Sequence, residues 1–242
     1  MKQGYGVFSK EYEIMLRNDV HDPDSIDGKL LERMILLDEE SFAYLYSDIN
    51  HYDLSSHELY DYAKQFKGNT DKETVNNVLV FTSDIAKDYD VDFKDMLFGG
   101  SEKQIIERKT DWCADMARVA AVLLMCNDIP SRIIQLANLD KAYNGHVAVE
   151  AYYEDHYGFI DPLYGYQFYD NEPVSVYEIQ NNHDYLKDYD EYYSGLFSAV
   201  AISDYNPMDL DNKYIITKPN EYTTRIIYED HDGKWFMNED KV

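Results

Sequence analysis

Three residues of the types used in thiol catalysis follow one another in the middle of the chain. Cys113 begins an apolar segment predicted to be a helix, His146 begins a predicted strand, and Asp161 ends the next predicted strand. A nucleophilic thiol needs a base that takes its proton and a third group that orients the base. The order of Cys113, His146 and Asp161 therefore predicts a cysteine-dependent catalytic triad.

The residues around Cys113 indicate how its thiol could be activated. Thr110 or Asp111 is a suitable N-cap, and residues 114–126 are almost entirely compatible with a helix. Cys113 would then lie in the first turn, where unpaired N–H groups and the helix dipole favour a thiolate. The same N–H groups could bind the oxyanion of an attacked carbonyl, while His146 takes and returns the proton.

Whether His146 and Asp161 meet depends on the loop between their two strands. Residues 146–153 and 157–161 form a predicted hairpin with its turn near residues 154–156. In an antiparallel pair, an even loop places residues whose numbers have an odd sum on one face, and 146 plus 161 is odd. A two- or four-residue loop therefore brings both side chains to one face, and a three-residue loop separates them.

Four short motifs extend this pattern along the chain. They read Cys-Ala-Asp-Met-Ala at 113–117, Ile-Pro-Ser-Arg at 129–132, His146, and Asp-Pro at 161–162. In this order they resemble the transglutaminase-like branch of the papain-like cysteine enzymes. The resemblance implies an α+β fold with a papain-like/transglutaminase-like core, in which a central buried helix packs on an antiparallel β-sheet, and a helical N-terminal extension.

The chain also departs from the family pattern. Glycine often stands two residues before the cysteine in this family, whereas Asp111 occupies that position here. An acidic side chain there opposes thiolate formation unless it caps the helix. Relatives supply a second oxyanion donor from an aromatic or amide side chain upstream, and Gln104 and Tyr89 are the candidates for it.

The remaining cysteine and histidines have simpler interpretations. Cys126 ends the apolar run of the predicted helix and is expected to be a small buried hydrophobe, too far from Cys113 for a disulfide. Six other histidines stand in polar, acidic surroundings, where solvated surface positions are expected. They are His21, His51, His57, His156, His183 and His231.

The acidic composition limits the class of partner. A net charge of −25 makes nucleic-acid binding and contact with an acidic membrane surface improbable, and favours a neutral or cationic peptide, protein or other amide as substrate. Because the N-terminus starts with Met and lacks an apolar signal core, and two distant cysteines suit a reducing compartment, we expect a cytoplasmic protein.

No motif predicts a cofactor or a metal. The loop at residues 22–28 fails the calcium-loop spacing, because Ile26 and Asp27 stand where a ligand and a glycine belong. The acidic turns at 209–212 and 230–233 lack a bidentate glutamate at the required distance, and no zinc spacing occurs.

The chain divides into three predicted parts. Residues 1–68 form a helical extension, with helices over 30–37 and after a capping box at Ser55. Residues 69–170 form the catalytic core, which opens with a helix capped by Thr70. Residues 171–242 complete the core with a tyrosine-rich helical layer and a β-hairpin at 223–237. The tyrosines could also line a substrate-binding wall.

The predicted function is cysteine-dependent acyl transfer on an amide through a thioester of Cys113, with His146 and Asp161 completing the triad. Water as acceptor gives a peptidase or amidase, and an amine gives a transglutaminase; the same three residues serve both. Two alternatives remain: a binding or scaffold module that keeps the fold without catalysis, and an arylamine-type acetyltransferase, for which no coenzyme A site is evident.

Overall fold

The computed structural model describes residues 43, 45–92, 95–138, 141–208, 227–229 and 235–237. Its helices are α1 (Tyr60–Ala63), α2 (Asp71–Lys87), α3 (Glu102–Arg108), α4 (Cys113–Met125), α5 (Val176–Asn181) and α6 (Glu191–Gly195), with short 3₁₀ helices at Lys64–Phe66, His183–Leu186 and Leu196–Ser198. The strands are β1 (Ser131–Asn138), β2 (Lys141–Tyr153), β3 (His156–Asp161), β4 (Tyr166–Gln167), β5 (Tyr169–Asp170), β6 (Glu172–Pro173), β7 (Ala199–Ser203), β8 (Ile227–Glu229) and β9 (Trp235–Met237).

Five of these strands form one antiparallel sheet in the order β4-β3-β2-β1-β7. The central strands are rich in residues that favour β-structure or burial, as in the Arg-Ile-Ile-Gln-Leu-Ala segment of β1. The predicted α+β class with an antiparallel sheet is therefore confirmed.

Helix α4 is buried on one face of this sheet. Its sequence is made of Ala, Val, Leu and Met with few polar residues, so it has no side suited to water. Residues Met116 to Met125 are all buried, and they pack against Val149 and Ala151 of β2 and Ile160 of β3. Helix α2 covers α4 with Val75 and Val78.

The opposite face of the sheet carries a second hydrophobic cluster. Ile134, Leu136, Ala148 and Phe159 of the strands pack there against the helical segment that follows β6, which supplies six apolar or aromatic residues. These six are Val176, Ile179, Leu186, Tyr193, Leu196 and Phe197. The predicted helical layer after residue 173 is thus present and covers the sheet.

The capping predictions had mixed outcomes. Thr70 is the N-cap of α2 and accepts a hydrogen bond from the Glu73 N–H, as predicted. The capping box at Ser55 is wrong, because α1 begins only at Tyr60. The Ser55 backbone N–H instead donates a hydrogen bond of 3.0 Å to the Asp53 carboxylate. This bond stabilises a turn rather than a helix.

Some predicted elements lie partly or wholly outside the described residues. The helix predicted at 30–37 falls there, as do His21 and His231. The predicted C-terminal hairpin is confirmed where it is described, since Ile227 pairs with Met237 and Glu229 with Trp235. These two strands form their own sheet rather than extending the five-stranded one.

Candidate active site

Cys113 is the first residue of α4 and its side chain is half-buried. The first intrahelical hydrogen bond runs from the Met116 N–H to the Trp112 carbonyl. The N–H groups of residues 113–115 precede that bond and point along the helix axis beyond its N-terminus. The thiol therefore lies beside the positive end of the helix dipole.

The predicted N-cap is corrected by the structure. Trp112, and neither Thr110 nor Asp111, occupies the N-cap position. The Thr110 hydroxyl accepts the Trp112 N–H at 3.0 Å, so it closes the turn before the helix instead of capping it. Asp111 is exposed, and together with burial its charge raises the pKa of Tyr89.

A buried carboxylate fixes the first turn of α4. Asp115 accepts the Gly99 N–H at 3.1 Å and a hydrogen bond from Arg108 at 2.5 Å. A second guanidinium, that of Arg118, lies 3.7 Å from it. Burial raises the pKa of Asp115, against the opposing effect of the two arginines. The aspartate of the Cys-Ala-Asp motif thus anchors the helix start to the loop at residues 98–101.

His146 and Asp161 are brought together on the sheet. The imidazole Nε2 lies 2.7 Å from Asp161 Oδ2, and both side chains are buried. The hairpin that carries them has a two-residue loop, because Tyr153 pairs with His156. Glu154 and Asp155 in that loop both have positive φ, as in the tight turns that join twisted strands. The loop is even, as the same-face interpretation requires.

The register makes the two side chains diagonal neighbours. Val149 of β2 pairs with Ile160 of β3, so Asp161 lies opposite Ala148. His146 is two residues from Ala148 on the same strand, and its side chain is therefore a diagonal neighbour of Asp161. Both lie on the face that holds Ala148, which is the face covered by the C-terminal helices. Asp161 is also the last residue of β3, so the pair sits at the end of the sheet.

The Cys113 thiol lies close enough to His146 to influence its pKa. Burial alone would lower the pKa of His146, but hydrogen bonds with Asp161 and with Cys113 raise it to about 10. Because Nε2 faces Asp161, the other ring nitrogen, Nδ1, is left for the thiol. The structure therefore brings all three predicted residues together.

Asp161 is fully buried and receives four hydrogen-bond donors. Its Oδ1 accepts the backbone N–H groups of Leu163 and Tyr164 at 3.1 and 3.2 Å. Its Oδ2 accepts the Tyr193 hydroxyl at 2.8 Å in addition to the His146 ring. A buried carboxylate is tolerated where its oxygens are satisfied in this way. The Asp-Pro turn supplies two of the donors, whereas Tyr193 was not foreseen.

Tyrosines surround the imidazole and approach the thiol. The Tyr164 ring lies 5.4 Å from the His146 ring and the Tyr193 ring 6.3 Å from it. Burial together with neighbouring charges that include Cys113 raises the pKa of Tyr164 to about 12, and raises that of Tyr192. Tyr164 and Tyr192 are 42% and 48% exposed, so their rings are accessible to a ligand at the thiol. The tyrosine-rich region therefore contributes to both the helical layer and the surroundings of the site.

Several further assignments change with the structure. Gln104 is exposed, and its Oε1 accepts the Ser101 N–H in a capping box of α3. Cys126 is fully buried, as predicted, and burial raises its pKa to about 11.

Two histidines that were expected to be solvated have acidic partners. The His57 side chain is 8% exposed and lies 3.7 Å from Glu102, and the His156 side chain lies 2.8 Å from Glu178. His51 and His183 are exposed, as expected.

The described residues contain no group of three or more His, Cys, Asp or Glu side chains placed to hold a metal ion. None of the described helices is both long enough and apolar enough to cross a lipid bilayer.

Neither a family model nor a curated protein matches the chain. Among solved structures, the chain is similar to a candidate cysteine protease from Cytophaga hutchinsonii, with 20% sequence identity and a TM-score of 0.35. The similarity covers 55% of this chain and 47% of the other, so the chain spans about half the length of that protein. A similarity of this size assigns neither a fold family nor an activity, and the chemistry has to come from the residues of the site.

Proposed function

We propose that the protein is a cysteine-dependent enzyme of the transglutaminase-like branch of the papain-like fold, which transfers an acyl group from an amide through a thioester on Cys113. The observation that carries the proposal is the hydrogen bond between His146 and the buried Asp161, together with the interaction of the Cys113 thiol with the same imidazole. A base that orients a thiol, and is itself oriented by a carboxylate, is the arrangement that nucleophilic thiol catalysis needs.

The first half of the reaction forms the thioester. The Cys113 thiolate attacks the carbonyl carbon of the amide, and the carbonyl π electrons move to oxygen. The N–H groups at the start of α4 stabilise that oxyanion. The imidazolium of His146 gives its proton from Nδ1 to the leaving nitrogen, the C–N bond breaks, and the amine departs. Asp161 keeps the ring in the orientation that presents Nδ1 to the thiol and to the leaving group.

The second half regenerates the thiolate. Neutral His146 takes a proton from water or from an amine, whose lone pair attacks the thioester carbon. Collapse of the tetrahedral intermediate expels the Cys113 thiolate and releases an acid or a new amide. Water makes the enzyme a peptidase or amidase and an amine makes it a transglutaminase; we favour hydrolysis as the default. The net charge of −25 favours neutral or cationic substrates, and two free cysteines suit the cytoplasm.

The test forms the acyl-enzyme on an activated amide or ester and identifies the modified residue by intact mass and peptide mapping. Cys113→Ala should abolish acylation and turnover, whereas Cys126→Ala, at the buried thiol of the same helix, should keep both within a few-fold of wild type. Added millimolar primary amine then separates the two reactions, because only a transferase yields substantial amide product. Full activity in Cys113→Ala would contradict the mechanism. A wild-type protein that is never acylated would favour a binding or scaffold module instead.

A further inference from the structure

Tyr193 has an unexpected place in the candidate active site. It lies on α6, outside the three residues that carry the reaction, and only 4% of it is exposed. Its hydroxyl donates a hydrogen bond of 2.8 Å to Asp161 Oδ2. That oxygen is the one that faces His146 Nε2, at 2.7 Å. One carboxylate oxygen is therefore shared between the imidazole and the phenol.

The Tyr193 side chain is held in this position from several sides. The Asp190 carboxylate, which caps α6, accepts the Tyr193 N–H at 2.7 Å and fixes the backbone. The ring is enclosed by aromatic neighbours whose centroids lie between 5.1 and 5.6 Å away. These neighbours are Tyr164, Tyr166, Tyr189 and Phe197. A ring enclosed in this way can turn its hydroxyl only toward a small region, and Asp161 occupies that region.

We propose that Tyr193 is a positioning residue of the triad, which fixes the rotation of the Asp161 carboxylate and moderates its attraction for the His146 imidazolium. This inference rests on the proposed acyl transfer. A carboxylate oxygen that accepts two hydrogen bonds shares its charge between them, so each is weaker than it would be alone. With the phenol present, the imidazolium is stabilised enough to pair with the thiolate and still releases its proton to the leaving nitrogen.

The charged and titratable groups near this oxygen come from four parts of the fold. The groups that face His146 or Tyr193 are Cys113 on α4, Asp161 on β3, Tyr164 before β4, Tyr166 on β4, and Tyr189 and Asp190 just before α6. Tyr192 on α6 lies near Cys113. Burial and the Asp161 charge strongly raise the pKa of Tyr193, so it stays a neutral donor across the working pH range. Asp161 and Cys113 are the groups that raise the pKa of His146, and the Tyr193 hydroxyl donates to the first of them.

Tyr193→Phe removes the hydroxyl and keeps the ring that packs. Asp161 should then bind the imidazolium more strongly, so the His146 Nε2–H proton should move downfield in the NMR spectrum of the resting protein. The alkaline limb of the pH profile for Cys113 alkylation by iodoacetamide should move up by about half a pH unit or more, as expected when one hydrogen bond to a charged group is lost. Turnover should fall several-fold because the proton leaves His146 less readily, with Cys113 alkylation at pH 6.5 undiminished.

Tyr189→Phe is the matched control. Its ring contacts that of Tyr193 at 5.3 Å, and its hydroxyl is not among the donors to Asp161 in the part of the chain that the structure describes. It should leave the NMR resonance and the alkylation profile in place. Tyr193→Phe could lower the melting temperature, yet leave the alkylation profile within about 0.2 pH unit and the NMR resonance within one line width of wild type. In that case the role of Tyr193 is purely structural and the inference is wrong. Both readouts need no substrate, so they decide on Tyr193 even if no amide is ever turned over and the proposed function fails.

Discussion

Asp161→Asn tests the triad through the tautomer of its histidine. Two backbone N–H groups, those of Leu163 and Tyr164, point at the Oδ1 position, so the amide oxygen of an asparagine has to occupy it. The amide nitrogen then takes the Oδ2 position and faces His146 Nε2. Since that nitrogen donates, it selects the imidazole tautomer that carries its proton on Nδ1. In this tautomer Nδ1 cannot accept the thiol proton. Protonation of Nε2 would place two donors, Nε2–H and the amide N–H, against each other.

The size of the effect follows from the environment of His146. Hydrogen bonds with Asp161 and Cys113 raise the pKa of His146 from its ordinary 6.5 to about 10, and this shift corresponds to about 5 kcal/mol of preference for the imidazolium. Hydrogen bonding with Asp161 is the largest contribution that raises the pKa, ahead of that with Cys113, so at least about half of this preference should be lost. About 2–3 kcal/mol corresponds to a 30- to 150-fold loss of the thiolate–imidazolium pair at neutral pH.

The assay is the rate of Cys113 alkylation by iodoacetamide at pH 6.5, read by peptide mapping. Asp161→Asn should lower this rate by roughly hundredfold, and turnover at least as much, because the substitution also removes the base. The melting temperature and the circular dichroism spectrum serve as the control for folding. If a well-folded Asp161→Asn protein alkylates at Cys113 within about threefold of wild type, Asp161 does not set the state of His146 and the reasoning is refuted.

Two further predictions concern the reactivity of Cys126 and the contribution of the buried Glu102 to stability. Iodoacetamide at pH 6.5 should modify Cys113 at least about tenfold faster than Cys126, whose pKa burial raises to about 11; equal rates would remove Cys113 as the reactive thiol. Although burial opposes it, hydrogen bonds and charge from His57 and Arg118 lower the pKa of Glu102 to about 2, below its ordinary 4.5. The resulting stabilisation is present above pH 4.5 and is lost as pH falls toward 2. Glu102→Gln should therefore reduce the free energy of unfolding by about 3 kcal/mol at pH 6, and the difference between variant and wild type should shrink as the pH is lowered. A gap that stays constant from pH 6 to pH 2.5 in chemical denaturation would contradict this.

The helix, the hairpin and the closeness of His146 to Asp161 could be predicted because their signals are local. An apolar run of helix-forming residues between 113 and 126 can only be buried, and a hairpin with a two-residue loop fixes which side chains share a face. The odd sum of 146 and 161 therefore predicted that the two side chains lie on the same face of the hairpin. The end of the helix was predicted within a residue, whereas its start was not, because Thr110 uses its hydroxyl in the preceding turn.

Other contacts depend on tertiary packing and have no local signal. Tyr193 is one of 24 tyrosines, and only the packing of α6 on the sheet selects it as the donor to Asp161. His57 looked solvated because its sequence neighbours are polar, yet its side chain is 8% exposed and lies against Glu102. Arg132, a motif residue, pairs in register with Glu150 and donates to it at 2.6 Å. That pairing becomes visible only once the register of β1 and β2 is known.

The candidate site is assembled from two hydrophobic clusters that lie on opposite faces of one sheet. Cys113 belongs to α4, whose start is anchored by Asp115, whereas His146 and Asp161 lie on the face covered by the C-terminal helices. The thiol and the base meet at the end of the sheet, where the thiol is half-buried and the base is buried. A half-exposed nucleophile can reach a substrate, and a buried base keeps its partner carboxylate out of water, where its hydrogen bonds are stronger. Helix α4 positions the thiol, whereas Tyr193 of α6 donates to Asp161, the partner of the imidazole.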